Sequence, residues 1–355
     1  MTQWNDIERL QRLGRPLHAV DLGALDGHGR AIEDLVAIQV VWRGAPLAGS
    51  RLSRVAFVDC DLRDADFRDA VLDGCSFTRC ELGGSRWTRV NGNQLAFTDC
   101  KLERSDWQGA TLALCAINKS DFLAASLNSI VLHRTVLAQC RMDGMDLRGA
   151  TLDQAVLTDA DFRSIRIERL QARAAVLSKA CFDGMDLGTV RLDRCMLESA
   201  SFVDAELGGM SLREANCRKA RFVRCHLGGA DATSALLLEA VLEDVDARAL
   251  TCAGAIFQQA SLRRVRLEHA SASASVWDHS QLEGIGFHSA DLSYARFDHA
   301  SGTDVDLRHA NLTQASFHNA RFEHAPTSGA RVTRMGGTSA ARLAAEARSL
   351  SLEMH

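Results

Sequence analysis

The chain lacks the features that mark membrane, secreted and nucleic-acid-binding proteins. No run of 18 apolar residues occurs, so no membrane span is expected. The N-terminal stretch from Met1 to Asp6 has neither the basic region nor the apolar core of a secretory signal, which predicts a cytoplasmic protein. The 41 basic and 45 acidic residues give a formal charge of -4. There is therefore no positive excess for direct binding of nucleic acid.

Sequence signatures of catalysis are missing as well. The chain has no GxxxxGK(S/T) phosphate loop, no Gly-x-Ser-x-Gly elbow and no His-Glu-x-x-His motif. Its 11 cysteines include no Cys-x-x-Cys pair, and their odd number does not suit a disulfide framework. We therefore expect a protein that is not an enzyme and that carries no cofactor.

A repeat of five residues dominates the chain. Counting in steps of five from Leu47 to Phe322, 48 of 56 positions hold a large apolar residue, and all 14 phenylalanines fall in this phase. The position two residues earlier is alanine in nearly half of the repeats and cysteine in eight of them. Neither the 3.6-residue period of a helix nor the two-residue period of a strand fits this pattern. A coil that turns a corner every five residues fits the pattern. Each five-residue side of such a coil points one small and one large side chain inward.

A second period, of 20 residues, sets the size of a coil. Aromatic residues sort into columns spaced by this longer period, whereas the column of Leu52, Leu72 and Leu112 contains none. One aromatic column consists of Phe162, Phe182, Phe202 and Phe222. Like residues stack on like when each coil has four sides of five residues. The sequence therefore predicts an all-β solenoid, whose stability is a sum of contacts between neighbouring coils.

Individual repeats carry a family resemblance. Ala65-Asp66-Phe67, Ala290-Asp291-Leu292 and Ala310-Asn311-Leu312 resemble the A-(D/N)-L-x-x signature of the pentapeptide-repeat family. The resemblance implies a right-handed quadrilateral β-helix, which we place at residues 45–324 with about 14 coils of 20 residues. Eight central positions hold a small residue and are expected to be thin spots in the core. They are Gly92, Ala172, Cys217, Ala232, Ala247, Cys252, Ala272 and Gly302.

Short helical caps are predicted at both termini, because stacked coils leave strand edges exposed at their ends. Residues 1–44 are expected to form an N-terminal cap, and residues 325–355 a linker and a helix. The N-terminal helix carries, at helical spacing, Trp4, Ile7, Leu10 and Leu13. The C-terminal helix begins after Thr338 or Ser339 and bears Leu343, Ala344, Ala347 and Leu350. Gyrase-inhibiting members of the family dimerise through their C-terminal ends, so the resemblance implies self-association through this helix as one alternative.

Cysteines and histidines are the candidates for metal or redox chemistry. Only Cys181 is predicted to face outward, so packing in the core is the favoured interpretation for the cysteines. Asp278-His279 and Asp298-His299 fall in one outward column, with His318 one position offset on the next coil. A surface metal site is geometrically open there, but solvated side chains are the favoured interpretation and no metal ligands are assigned.

One outward column carries the candidate partner-binding site. The residue before the central position is often Asp or Asn in this family, yet in one column seven of eight coils are apolar there. Contiguous apolar surface of this kind marks contact sites. With one neighbouring outward leucine, the candidate residues are Val136, Val156, Val176, Met196, Leu236, Leu238, Ile256 and Val276. The alternative is that the C-terminal segment lies along this column.

Two functions of different classes remain open. The first is a non-enzymatic interaction scaffold or adaptor that presents a rigid β-helical surface to a protein partner or to a second copy. A bacterial secretion-system accessory is one form of it, because Gly14-Arg15-Pro16-Leu17 loosely resembles members that accompany contractile secretion machinery. The alternative is a DNA-mimicking inhibitor of DNA gyrase or topoisomerase, as known members are. That mechanism requires a strongly acidic face, whereas the outward charges here alternate in sign.

Overall fold

The computed structural model describes residues 3–23 and 25–353, with only the backbone of residues 348–353. The chain forms two compact units, Met1–Val176 and Leu177–His355. The fold is a parallel β-solenoid of about 15 turns with two short terminal helices. The prediction of an all-β solenoid with helices at the termini is therefore confirmed. Among the described residues, no helix is long and apolar enough to cross a membrane.

In the part of the first unit that the structure describes, there are one helix and fifteen short strands. They are α1 (Trp4–Arg12), β1 (Leu17–His18), β2 (Ala31–Glu33), β3 (Val36–Ile38), β4 (Arg51–Ser53), β5 (Ala56–Val58), β6 (Val71–Asp73), β7 (Ser76–Thr78), β8 (Asn91–Asn93), β9 (Ala96–Thr98), β10 (Thr111–Ala113), β11 (Ala116–Asn118), β12 (Val131–His133), β13 (Val136–Ala138), β14 (Thr151–Asp153) and β15 (Gln171–Arg173).

The described residues of the second unit form eight strands and one helix. They are β16 (Arg191–Asp193), β17 (Ser201–Val203), β18 (Arg221–Val223), β19 (Val241–Asp246), β20 (Ser261–Arg266), β21 (Gln281–Gly286), β22 (Ser301–Asp306), β23 (Arg321–Glu323) and α2 (Ala340–Glu353). The strands from β17 to β23 form one parallel sheet in chain order.

Each strand pairs in parallel with the equivalent strand of the neighbouring coil, as the second period predicts. In the first unit Leu52 lies beside Leu72, and Phe57 lies beside Phe77. The chain turns at the second residue after a central position, and at most of these turns that residue adopts a left-handed conformation. Asp59, for example, has φ 54° and donates its N–H to the carbonyl of Thr78 at 2.9 Å. The corner thereby contributes to the ladder between coils.

Aromatic columns fill the core of each unit. In the first unit Phe57, Phe77 and Phe97 stack at 5.1 and 4.7 Å between ring centroids. In the second unit Phe182, Phe202 and Phe222 stack at 5.1 and 4.8 Å. Offset stacking of this kind adds to the hydrophobic free energy of burial. The predicted column of phenylalanines is therefore observed for its three members in the second unit, and Phe162 is buried in the first.

Coils extend beyond the expected boundaries at residues 45 and 324. Leu17 and His18 already pair with Ala37 and Ile38 of the following coil. At the other end Asn311 bridges to Arg331, and Ser316 to Gly336. The phase of five persists in these segments, but their residues depart from the family signature. Backbone pairing tolerates that departure because it needs no particular side chain.

The expectation of a thin spot at Gly92 is wrong, because neighbouring side chains occupy the space. A Cβ placed on Gly92 lies 2.6 Å from Leu95 Cδ1 and 2.8 Å from Leu112 Cδ2. A Cβ on Gly302 lies 2.3 Å from the carbonyl oxygen of Leu282. Both glycines are therefore sites of close packing rather than of missing volume.

Helix α1 covers the first coils through part of its predicted apolar face. Ile7 is fully buried, and Trp4 packs edge-on against Trp42 with ring centroids 6.1 Å apart. Trp4 also donates its indole N–H to the carbonyl of Asp26 at 2.7 Å. Leu13 does not belong to this face. It is the C-cap residue and 59% exposed, because the helix ends at Arg12.

All 11 cysteines carry thiol groups, and nine of them are buried. Burial raises the pKa of Cys217 and of Cys252 to about 12, so both remain protonated at neutral pH. Cys140 and Cys181 are half-buried. Core packing therefore describes Cys217 and Cys252, because a protonated thiol is a poor nucleophile and a poor metal ligand.

Candidate interaction surface

The first unit carries three of the predicted site residues in one ladder. Val136 bridges to Val156, and Val156 to Val176, so the three side chains lie on one outer face at the spacing of paired strands. Val136 is 37% exposed, and the other two are half-buried. We call these valines the first-unit part of the apolar stripe.

The second unit carries the other predicted residues in a ladder of its own. Met196 bridges to Asn216, which bridges to Leu236, and the column continues through Ile256 to Val276. Met196 is 40% exposed, whereas the others and the adjacent Leu238 are half-buried. We call Met196, Leu236, Leu238, Ile256 and Val276 the second-unit part of the apolar stripe. Asn216 interrupts it with one polar side chain.

The apolar stripe of the second unit ends at an ion pair. The next residue in its column is Arg296, whose guanidinium Nε donates to Oδ2 of the buried Asp278 at 2.8 Å. The outer surface thus changes from apolar to charged in one coil. This change limits the apolar contact area at that end.

Helix α2 docks on the charged region through its polar side. The hydroxyl of Ser339 accepts the N–H of Arg342 and caps the helix. Arg342 Nη1 donates to Oδ2 of the buried Asp298 at 2.7 Å, and Arg342 Nε donates to Glu346 at 2.9 Å. Leu343 is 38% exposed, and Ala344 and Ala347 are exposed too. The predicted apolar side of the helix therefore faces solvent, and Leu350 lies where no side chain is described.

A two-histidine and one-carboxylate cluster lies beneath α2. Nε2 of His299 and Nε2 of His318 each lie 3.2 Å from Oε2 of Glu346. Nδ1 of His318 accepts the backbone N–H of Ser339 at 3.1 Å, which leaves the proton of the neutral ring on Nε2. A metal at Nε2 requires that nitrogen to be free of its proton. The observed partners therefore suit hydrogen bonds to Glu346 better than a metal ion.

The late histidine column differs from its sequence interpretation. His279 and His299 stack as expected for one column, with ring centroids 4.8 Å apart. His318, however, is only 2% exposed, and Asp278 and Asp298 are buried rather than solvated. Side chains that the periodic pattern cannot place, such as Arg342 and Glu346, supply their partners. This cluster could not be predicted from the sequence, because Glu346 lies in a helix outside the repeat.

Hydrogen bonds hold the docked carboxylates in their ionised form. Burial alone raises the pKa of Asp298, but the Ser316 hydroxyl, Arg342 and the His318 N–H outweigh it and hold that pKa below its ordinary value of 3.8. Desolvation also raises the pKa of Glu346, and His318, His299 and Arg342 together hold it below 4.5. The docking of α2 is therefore a charged contact.

The outer charges form pairs along the ladders rather than an acidic face. Many arginines donate to a carboxylate at the same position of the neighbouring coil. In the first unit such pairs are Arg54–Asp34, Arg79–Asp59 and Arg89–Asp69, and in the second unit they are Arg194–Glu214, Arg224–Asp204 and Arg264–Asp244. Exposed pairs contribute little stability, but they cancel the surface potential locally.

The coils have four short sides, and the apolar stripe and the charged pairs lie on their outer faces. This architecture is that of a solenoid repeat protein, a class that binds partners through its extended surfaces. The chain belongs to the pentapeptide-repeat family. The family model for the pentapeptide repeat region matches residues 50–122. The family model for pentapeptide repeats (8 copies) matches residues 130–169, 191–229 and 290–325. The family resemblance noted in the sequence is thereby confirmed.

Several solved structures are similar to this chain at low identity. QnrB1, a plasmid-mediated fluoroquinolone resistance protein, is 16% identical over 45% of this chain and 82% of its own, with a TM-score of 0.37. HetL of Nostoc sp. strain PCC 7120, involved in heterocyst differentiation regulation, is 20% identical over 95% of both chains, with a TM-score of 0.21. A pentapeptide repeat protein of the Arabidopsis thaliana thylakoid lumen is 25% identical over 34% of this chain and 69% of its own, with a TM-score of 0.23. No curated protein matches the chain.

Proposed function

We propose that this protein is a non-enzymatic interaction scaffold that binds a protein partner through the apolar stripe. The observation that supports the proposal is the alignment of apolar side chains at strand spacing on one outer face of each unit. Leu236, Ile256 and Val276, for instance, bridge in succession on adjacent coils. A flat, preorganised apolar face loses little conformational entropy on binding.

Substitutions in the apolar stripe test this proposal. A variant with Val156→Ser, Val176→Ser and Leu236→Ser removes apolar area while leaving the inward columns intact. The control is Val71→Ser, because Val71 is a 44% exposed valine outside the stripe. Co-purification from the native host is expected to recover a bound protein with the wild type and the control, and to lose it with the triple variant.

The molecular mass in solution distinguishes the two kinds of partner. Binding of a second copy would double the wild-type mass and leave the triple variant monomeric. A wild-type chain that stays a monomer and retains no partner, with no change on substitution, would contradict the scaffold proposal. A role beside a bacterial secretion system and a cytoplasmic location stay predictions of the sequence.

The DNA-mimic alternative receives less support from the charge pattern. A mimic of duplex DNA needs a continuous acidic face, whereas arginines pair with carboxylates on successive coils in both units. A gyrase supercoiling assay separates the two functions. Inhibition at concentrations comparable to that of the enzyme would favour mimicry, and no inhibition is expected of the scaffold.

A further inference from the structure

Three cysteines of the first unit occupy the same inward position on successive coils. Cys60, Cys80 and Cys100 follow one another at the 20-residue period, and each is 1% exposed. The next member of the column is Ser120, and Cys140 lies one coil beyond it. The column therefore contains a run of three adjacent thiols, which a serine separates from a fourth. We call Cys60, Cys80 and Cys100 the thiol ladder.

Backbone pairing sets the distance between neighbouring members of the thiol ladder. Asp61 bridges to Glu81 directly after the first two cysteines, and Glu81 bridges to Lys101 directly after the second and third. Equivalent positions of paired strands lie about 4.7–4.9 Å apart. Two cysteines can form a disulfide when their Cα atoms are about 4.4–6.8 Å apart. Adjacent members meet this condition, whereas Cys60 and Cys100 are two coils apart and do not.

The thiols of the ladder lie against one another. Sγ of Cys80 lies 3.4 Å from the carbonyl oxygen of Phe57, which belongs to the coil of Cys60. In the same way, Sγ of Cys100 lies 3.3 Å from the carbonyl oxygen of Phe77, in the coil of Cys80. Cys80 forms thiol hydrogen bonds with both of its neighbours in the ladder. Each pair of adjacent sulfurs is therefore in contact, with no other side chain between them.

Hydrogen bonding distinguishes the middle thiol of the ladder from the outer two. A hydrogen bond with Cys80 holds the pKa of Cys60, and likewise that of Cys100, below the ordinary value of 9.0, although burial opposes this effect. The bonds to Cys100 and Cys60 raise the pKa of Cys80, because its proton stabilises their thiolates. The thiolate is the nucleophilic form of cysteine. The outer cysteines are therefore the nucleophiles of the ladder, and Cys80 is placed to react with either of them.

A second cysteine column of the first unit lacks such neighbours. Cys75 and Cys115 share one inward position, but the buried Leu95 lies on the coil between them. Burial raises the pKa of both thiols. Two coils separate these cysteines, so their Cα atoms are about twice the strand spacing apart, beyond the range of a disulfide. This column provides a matched control for the thiol ladder.

We propose that the thiol ladder is a site of reversible oxidation, at which hydrogen peroxide converts two adjacent thiols into one disulfide between neighbouring coils. The thiolate of an outer cysteine attacks one oxygen of the peroxide, the O–O bond breaks, and hydroxide leaves a sulfenic acid on the protein. The Cys80 sulfur then attacks the sulfenic sulfur and gives up its proton, so that an S–S bond forms and water leaves. In sum, two thiols lose two electrons and two protons, and one peroxide becomes two waters.

The ladder holds one disulfide at a time, because both possible pairs contain Cys80. The remaining outer thiol can attack that disulfide and exchange with it. Either disulfide joins two coils covalently, and reduction by a dithiol releases them. The site goes beyond the proposed function, because it lies in the core and uses no residue of the apolar stripe.

Peptide mapping of the full chain provides the first test. Folded protein is exposed to hydrogen peroxide for a set time, then denatured and alkylated with iodoacetamide. Cross-linked peptides are expected to join Cys80 to Cys60 or to Cys100, and dithiothreitol is expected to restore all three thiols. Cys75 and Cys115 are expected to be oxidised at least about tenfold more slowly than the ladder. Equal oxidation of the two columns, or a disulfide that forms only in denaturant, would overturn the proposal.

Serine variants provide the second test, because Ser120 shows that the column accepts serine at this position. Cys80→Ser is expected to abolish the disulfide and to leave a sulfenic acid, which dimedone traps, on Cys60 or Cys100. Cys75→Ser is the matched control and is expected to form the disulfide as the wild type does. A disulfide between Cys60 and Cys100 in the Cys80→Ser variant would contradict the assigned role of the middle thiol.

The outer positions give a further measurement, which applies even if Cys80→Ser does not fold. Cys60→Ser is expected to retain the disulfide between Cys80 and Cys100, and Cys100→Ser the one between Cys60 and Cys80. The double variant is expected to form neither disulfide. Loss of all disulfide in both single variants would show that adjacent members of the ladder do not pair, and would contradict the proposal.

Discussion

At the residue scale, the inward positions are fixed by contact with the adjacent coils. A small residue at a central position does not signal free space. At Gly92 the neighbouring leucines have already taken the volume that a side chain would occupy. The pattern of five identifies the inward residues but not how their neighbours adapt to them.

Replacement of Gly92 by alanine is expected to destabilise the first unit by about 1–3 kcal/mol, because the added methyl group overlaps Leu95 and Leu112. Chemical denaturation measures this change in the free energy of unfolding. Gly83→Ala is the matched control, since its nearest neighbour lies 3.5 Å away. A Gly92→Ala variant as stable as this control would show that the core has room at that point.

Thiol reactivity distinguishes buried from half-buried cysteines. Cys217, whose pKa burial raises to about 12, is expected to resist alkylation at pH 8 in the folded chain, whereas the half-buried Cys181 reacts. Mass spectrometry of peptides after a timed exposure to iodoacetamide measures both sites. Alkylation of Cys217 at the rate of Cys181 would contradict the packing of that column.

At the element scale, the strands follow directly from the sequence and the C-terminal helix does not. The phase of five predicts which residues point inward and which coils pair, because each coil repeats the same local geometry. Helix α2 lies outside the repeat, and its docking depends on pairs such as Arg342–Asp298 that no period relates.

The docking of α2 is expected to weaken in acid. The pKa values of Asp298 and Glu346 are lowered in the folded chain, so their contribution is fully present above pH 4.5 and is lost as the pH falls through the folded values, below 3.8 and 4.5 respectively. Hydrogen exchange of residues 340–347, corrected for the intrinsic pH dependence, is expected to rise in this range.

Substitution of Arg342 provides the comparison at neutral pH. Arg342→Ala removes the donor to Asp298 and Glu346 and is expected to raise exchange in α2 at pH 7. Arg334→Ala, at an exposed arginine before the helix, serves as the control. If α2 exchanges equally in wild type and in Arg342→Ala at both pH values, the charged contact does not hold the helix.

At the scale of the whole molecule, stability is a sum of contacts between neighbouring coils, because each coil touches only those beside it. The apolar stripe could be predicted residue by residue, since outward positions obey the same phase as inward ones. The sequence did not show that its second-unit part ends at an arginine bound to a buried carboxylate. That feature depends on side chains from two coils that meet only in the folded chain.

A cavity in one unit is expected to have local effects. Phe202→Ala removes the middle ring of the stack formed with Phe182 and Phe222, and is expected to cost about 3–5 kcal/mol. Amide exchange is expected to rise in the coils around residues 191–223 and to stay unchanged in β4 to β12 of the first unit. A uniform rise across both units would show that the chain unfolds as one cooperative body.

The register between coils also limits how such a chain can change in length. Loss of a full coil leaves each remaining wall aligned with its former neighbours, so a surface pattern becomes shorter without being scrambled. Loss of a single repeat, for example 241–245 in the second unit, keeps every apolar core residue inward. It also rotates all following faces of the solenoid by a quarter turn. Ile256 and Val276 would then leave the side occupied by Leu236, and a binding face would be divided without any damage to the core.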